Sequence, residues 1–534
     1  MALQENKPKT ENPKSILIIL MAGLFLAILN QTLLNVALPH LMTEFGVDTS
    51  TIQWLTTGYM LVNGILIPLS AFLITRFGSR SLFLTAMLFF TIGTLICGIA
   101  TNFPIMMTGR LIQAIGGGIM QPLVMTTILF IFPPESRGKG MGVFGLAMMF
   151  APAVGPTLSG WIIEHYHWRL MFNGLVPLAF VVLIAAFFLF RNMVEPRKIK
   201  IDLLGTVLSV AGFASLLYGV SEAGSKGWDD PIVLTTVIIG VVGIAAFIFQ
   251  QLKSPEPMLD FRVFKYDIFS LSSVLNIIIT VALFSGMFLL PIYLQNLLGF
   301  SALDSGLLLL PGALVMLVMS PISGILFDKY GPRPLTIAGL IITAVTTFDY
   351  TFLTVQTSYT HIMVIYMIRA FGISLLMMPV MTAGMNQLPK ELNSHGTAMA
   401  NTLRQISGSI GISLITTAYT NRTSFHYSVI ADQTNTADPS FMHSFQSYVQ
   451  SIAGHLHIPL DQAKQIVYSS LLKQANVEAN VMGINDAFFL TAFICGIGVV
   501  LALFLRDVRK DHLRKKAHKK NVKMLPAPKE VKEY

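Results

Sequence analysis

Charge is what this sequence has least of. Asp, Glu, Lys and Arg make up only 12% of the 534 residues, about half the roughly 25% of a soluble domain. With 53% hydrophobic residues, the chain lacks the polar coat of a water-soluble protein. Cysteine is nearly absent: Cys97 and Cys495 each stand inside an apolar run, which argues against a disulfide framework or a cysteine metal site. Two His-x-His pairs, His165/His167 and His455/His457, supply too few ligands for a metal centre. No metal and no cofactor is therefore expected. The stretches G-x-x-x-x-G-K-[ST], H-E-x-x-H and G-x-S-x-G do not occur, which argues against an ATP-driven pump, a membrane enzyme or any other catalyst. A cleavable leader is not expected either: the first apolar run starts near Ser15, is span-length and lacks an A-x-A-like end.

What the chain has instead is long apolar runs. A bilayer core of roughly 30 Å needs about 20 helical residues to cross it. Fourteen runs qualify, near 15–38, 52–74, 81–100, 105–131, 139–162, 170–190, 202–222, 231–251, 268–290, 305–326, 335–355, 361–387, 396–420 and 484–505. The fold class is an all-α polytopic membrane protein. An even count puts both termini on one side. Of the 36 Lys and Arg, only Arg169, Lys226, Arg422, Lys464 and Lys473 fall in loops of the opposite side, so both termini are expected in the cytoplasm. From Arg506 onward the tail is rich in Lys and Arg beside a span, so anionic lipid head groups, not nucleic acid, are its expected partner. The loop 421–483 is polar with two weakly amphipathic stretches, near 440–453 and 460–478, which form short helices or stay mobile.

The chain also repeats itself. Pro68, Ser70, Arg76, Gly78 and Arg80 recur at one constant offset as Pro321, Ser323, Lys329, Gly331 and Arg333, and Arg110 recurs approximately as Arg369. A shared offset over several helices implies two related six-helix halves. The domains expected are a cytoplasmic N-terminus at 1–14, a bundle at 15–190, a linker with two inserted spans at 191–267, a second bundle at 268–505 and a basic tail at 506–534. Parallel halves around a midplane site are a transporter architecture.

Three features stand out within this plan. The stretch Gly142 to Trp161 carries Pro152 and Pro156, which bend a helix. Beside them run the small residues Ala147, Ala151, Gly155 and Ser159, with Gly160 on the next stripe; such stripes let a second helix approach closely. The loop Gly324 to Arg333 places Asp328 and Lys329 before the turn glycine Gly331, where an acid can cap or pair and latch one conformation. Its first-half copy has Thr75 in place of the acid, so a weaker latch is expected there. Arg110 and Arg404 lie within spans. An intramembrane arginine faces a cavity or a partner unless it extends to the head groups.

Taken together, Asn35-Val-Ala-Leu-Pro39, Asp328 to Arg333, Arg110-Leu-Ile-Gln113 with Gly116 to Gly118, Ala151 to Gly160, Trp168-Arg169 with Phe172-Asn173, and Asn401 to Gln405 resemble the motifs of the major facilitator superfamily. The resemblance is to its fourteen-span drug:proton antiporter subfamily and covers nearly the whole chain. It implies two six-helix bundles with two extra central helices, proton-coupled export of drug-like molecules from the cytoplasmic membrane, and a coupling role for Arg110. One position departs from the subfamily. Where it usually carries an acid in the first span, this chain has Asn30, which cannot carry a proton in the working pH range. Asp349 is the first substitute, as a carboxylate inside an apolar run, and Glu222 the second; either could instead face water. Asn30, Gln31, Asn35 and Gln113 would line the cavity, and Ala151, Pro152, Gly155, Pro156, Gly160, Gly324, Asp328, Lys329, Gly331, Arg333 and Arg404 would govern its conformational cycle. The function expected is multidrug efflux by a monomer, with no partner fixed beyond small molecules, protons and membrane lipid; a dedicated exporter without proton coupling is the alternative. Whether an adaptor protein assists stays open.

Overall fold

The computed structural model describes residues 13–47, 49–193, 196, 202–433 and 439–507. Most of the basic tail and part of the linker therefore lie outside the described residues. The first half comprises α1 (Pro13–Phe45), α2 (Thr49–Phe77), α3 (Ser79–Gly98), α4 (Phe103–Ile131), α5 (Arg137–His165), the short α6 (Leu170–Asn173) and α7 (Leu175–Leu189). An inserted pair follows, α8 (Leu203–Lys226) and α9 (Pro231–Lys253). The second half comprises α10 (Asp267–Ile292), α11 (Ala302–Tyr330), α12 (Pro332–Asp349), α13 (Tyr359–Ser374), α14 (Met377–Gln387), α15 (Asn393–Gln433), α16 (Pro439–Leu456) and α17 (Leu460–Ala502).

Among the described residues, thirteen segments are long and apolar enough to cross a bilayer. The fourteenth expected span, 396–420, falls in α15. That helix misses the apolar threshold because it carries Asn401, Arg404, Gln405 and many Ser and Thr. It belongs to the bundle by its packing, against α2, α4 and α8 on one side and α10, α14 and α17 on the other. α13 and α14 form one span. The break between them precedes Pro379, which has no N–H to continue the ladder.

The sequence repeat returns as a repeat of contacts. In the first half α3 packs on α4, α2 on α4, α1 on α5 and α3 on α7; in the second, α12 packs on α13, α11 on α13, α10 on α15 and α12 on α17. Gly78 and Gly331 occupy equivalent turns, with φ of 78° and 87°. Only glycine reaches this region without strain. Between halves, α5 packs on α11 and α2 on α15. The inserted pair is close-packed through Gly212, Gly219, Gly240 and Gly243, each of which meets the opposing helix where a Cβ would sit. α8 rests on both α2 and α15. Large apolar side chains such as Phe188, Val242 and Phe493 point outward, as a lipid-facing surface requires.

The polar loop 421–483 is largely helical. Its first amphipathic stretch is α16. The second has merged with the following span into α17, since no breaker interrupts the run after Pro459. α16 is held to α17 by a small core of Val449, Ala463 and Val467.

Candidate functional site

Arg110 is fully buried in α4. Its Nη1 donates to Asn30 Oδ1 of α1 at 2.8 Å and to Gln113 Oε1 at 2.7 Å. Its Nε donates to the carbonyl of Leu55 at 3.3 Å. The Tyr59 ring lies against the guanidinium, 4.3 Å from Cζ to the centroid, a geometry in which the ring face attracts a cation. Gln113 passes the network on, donating to Thr94 Oγ1 at 2.7 Å. Every one of these acceptors is neutral, and among the described residues Nη2 has no hydrogen-bond partner. The sequence motif thus brings Arg110, Gln113 and Asn30 together. Gln31 is half-buried beside them in the chain. The side chain of Asn35 lies outside the described residues.

Arg369 in α13 is the second-half counterpart, 1% exposed. Nε donates to Thr347 Oγ1 at 3.2 Å, and Nη2 donates to the Ala282 carbonyl and, at 3.5 Å, to Ser285 Oγ. A Cβ on Gly286 would collide with its guanidinium.

The two substitute carboxylates are elsewhere. Asp349 ends α12 and takes a 2.8 Å contact from His361 Nε2, with 35% of its side chain exposed. Glu222 pairs with Lys226 at 2.8 Å, one turn away on α8. Neither is hydrogen-bonded or ion-paired to Arg110 or Arg369. An apolar run does not report depth: in each case the carboxylate stands at the end of its run, where a basic partner waits.

At the second candidate region the two halves interlock. Asp328, near the end of α11, accepts from the backbone N–H groups of Gly138 and Lys139, each at 3.1 Å. A carboxylate thereby caps the first turn of α5 in the other half. Unpaired helix N–H groups and the helix dipole both favour an anion there. Thr75, the equivalent residue, only bonds within its own helix, to the Ala71 carbonyl at 2.8 Å. Lys329 and Arg333 are exposed, and Lys329 lies over Tyr330.

Close helix approach makes that cap geometry available. A Cβ on Gly138 would strike Gly324 O, and one on Gly324 would strike Gly138 O. Further along the seam Ser320 Oγ donates to the Gly142 carbonyl at 2.9 Å. The same end is tied by Thr126 and Thr397, 2.6 Å apart, and by Arg137, which donates to Asn386 Oδ1 at 3.2 Å and to the Met385 carbonyl at 3.4 Å. The structure is thus closed at the Asp328 end. Gly138 escaped the sequence reading, although its spacing from Gly142 and Gly145 continues a small-residue stripe.

The proline-bearing helix α5 runs unbroken from Arg137 to His165 and serves two neighbours. Gly155 meets Thr32 of α1, and Ser159 Oγ donates to the Leu33 carbonyl at 2.7 Å. Ala151 and Gly160 are buried and Pro152 and Pro156 half-buried. The stripe through Ala151 therefore joins α5 to its own half, while Gly138, Gly142 and Gly145 face α11. Arg404 on α15 is half-buried, and its Nη1 approaches Met148 Sδ of α5 at 3.9 Å.

Comparisons with known proteins agree with this architecture. The chain is 74% identical over 523 residues, 98% of both chains, to an uncharacterized MFS-type transporter, YhcA, of Bacillus subtilis (strain 168). It is 38% identical over 496 residues to the lincomycin resistance protein LmrB of the same organism, covering 92% of this chain and 96% of the relative. The human organic anion transporter MFSD10 (TETRAN) superposes with a TM-score of 0.60 at 13% identity, over 92% of this chain and all of that one; this likeness concerns the fold alone. The Major Facilitator Superfamily model matches residues 20–412, and with helices, repeat and interlock already in agreement, the chain belongs to the major facilitator superfamily.

Proposed function

We propose that this transporter exports hydrophobic or amphipathic compounds across the cytoplasmic membrane by alternating access, with both termini inside. Similarity to a lincomycin resistance protein over nearly the full length of both chains supports that class of cargo. The observation that carries the mechanism is the capped contact of Asp328 with Gly138 and Lys139. It joins the two halves at one end through hydrogen bonds that rocking would break and remake. In this reading the Asp328 end is cytoplasmic and the present state is closed to the cytoplasm. Rocking apart at Gly138 and Gly324 would admit cargo from inside, and re-forming the cap would commit it outward.

Exchange for protons is the reading for the energy source, with Arg110 as the fixed cation that biases the cycle. Arg110 touches α1, α2 and its own helix α4, so its hydrogen bonds report how these three helices sit. Asp349 and Glu222 are tied to His361 and Lys226 away from that network, so coupling through them is not part of this proposal. A second reading, cargo export without proton coupling, is favoured by the amide of Asn30 in the first span at Arg110. Inverted vesicles containing the protein separate the two. Lincomycin and dye uptake that collapses with the pH gradient supports antiport. Uptake that persists without the gradient supports the second reading, and no uptake of any compound under either condition rejects export itself.

A further inference from the structure

The arginine on α15 has a different environment from the other two membrane arginines. Arg110 and Arg369 are enclosed by oxygen acceptors. Among the described residues Arg404 has a single polar contact, the thioether of Met148, at 3.9 Å. The same sulfur is also approached by Gln121 Nε2 of α4 at 3.0 Å. Two nitrogen donors, one of them charged, converge on one weak acceptor. Thioether sulfur accepts hydrogen bonds poorly, and a cation in a partly dehydrated site is costly until it meets an anion. Arg404 is half-buried, as is Gln121, so neither side chain is fully enclosed by its neighbours. No carboxylate forms an ion pair with Arg404 among the described residues.

We infer that Arg404 and Gln121 form a binding site for an oxyanion carried by the cargo — a carboxylate, sulfonate or phosphate on an otherwise apolar molecule. The oxyanion takes the place of Met148 Sδ between the two donors, and the flexible Met148 side chain swings aside to line the apolar part. A guanidinium suits this task because it presents several donors to one oxyanion. Gln121 and Met148 belong to the first half and Arg404 to the second. A bound anion therefore bridges the halves, and its binding is linked to their relative position. This site rests on the export reading above and narrows its substrate class.

The test uses a matched pair of fluorescent probes, the anionic 8-anilinonaphthalene-1-sulfonate and the neutral N-phenyl-1-naphthylamine. Full-length protein in phosphatidylcholine vesicles is titrated with each, against empty vesicles. Arg404→Gln is expected to weaken the sulfonate probe about ten- to a hundredfold, the range of a charge-assisted hydrogen bond, and to leave the neutral probe unchanged. Arg404→Lys should retain part of the affinity. Met148→Glu supplies an internal carboxylate to Arg404 and should lose the sulfonate probe, with its circular dichroism spectrum and melting temperature reporting that the variant is folded. Equal sulfonate binding by wild type, Arg404→Gln and Met148→Glu overturns the site, even if the neutral probe is bound and exported. Failure of the wild type to bind or export either probe overturns the export reading instead. Replacing a third of the lipid by phosphatidylglycerol decides the source of the anion. Undiminished probe affinity assigns the site to cargo, and competitive loss assigns it to lipid head groups and overturns the cargo assignment.

Discussion

Asn30 Oδ1 accepts from Arg110 Nη1 at 2.8 Å, joining the first and fourth helices around a fully buried cation. The amide supplies an acceptor without a charge. A carboxylate at the same place would form an ion pair and would add a titratable group to the centre of the first half.

Asn30→Asp should therefore make transport more steeply dependent on the pH gradient than in the wild type. The check is efflux from inverted vesicles with the gradient imposed and collapsed. Asn30→Ala removes an acceptor from the buried guanidinium and should destabilise the protein by about 1–3 kcal/mol, read as a lower melting temperature in detergent. Equal melting of Asn30→Ala and wild type would mean that the hydrogen bond is not formed in solution.

Gly138→Leu should wedge the closed end open, because even a Cβ there strikes Gly324 O. A cysteine introduced on the seam at Ser320 should label faster with a membrane-permeant maleimide in the Gly138→Leu background. Unchanged labelling would mean that the seam is not the moving contact.

Asp328→Asn keeps the shape of the cap but removes its charge. Loss of a charge at a helix N-terminus is worth about 0.3–1 kcal/mol, so the closed population should fall several-fold at most. Asp328→Ala should fall further, since it also leaves the Gly138 and Lys139 N–H groups without that acceptor. The same labelling assay ranks the two variants.

Asp349→Asn and Glu222→Gln should each leave gradient-driven efflux within about twofold of the wild type, in keeping with surface ion pairs of roughly 0–1 kcal/mol. Loss of gradient dependence in either variant would return that residue to the coupling path.

Glu44 provides a pH signature. It lies beyond the apolar run of α1, where Trp168 Nε1 and Arg169 Nη1 donate to its carboxylate. Burial raises its pKa, but these hydrogen bonds and the charges of Arg169 and His167 outweigh burial and hold it below the ordinary range. A carboxylate with a depressed folded pKa adds stability that is complete above its unfolded value, about 4.3, and disappears as pH falls through the folded one. Glu44→Gln should melt earlier than the wild type at pH 7, and the gap should close below pH 4.

Much of this was legible in the residues. Span lengths, the glycine turns at Gly78 and Gly331, and the closeness of Arg110 to Gln113 follow from hydropathy, an internal repeat and helical spacing. The helix α15 reads as a span from its run at 396–420, yet Asn401, Arg404 and Gln405 leave hydropathy a weak guide there, and its packing is what places it in the bundle. Asn30 could be placed on a helix, but its meeting with Arg110 depends on how α1 packs against α4, eighty residues away. Asp349 shows the same limit. It lies in an apolar run, yet α12 ends there and His361 arrives from the next helix. Hydropathy marks which segments enter lipid, whereas the partner of a polar side chain is decided by helix rotation, which the pattern of a nearly uniform apolar helix scarcely encodes.

The inserted helix α8 leans on α2 from one bundle and α15 from the other. Two rigid bodies that swing about a common axis cannot both keep a fixed grip on a third. In the rocking cycle proposed above, one of those grips would have to slip on every turnover, and the glycine-packed α9 would travel with whichever body α8 follows. The added hairpin would then set friction and range for the swing, and shortening it should alter turnover rate before it alters what is recognised.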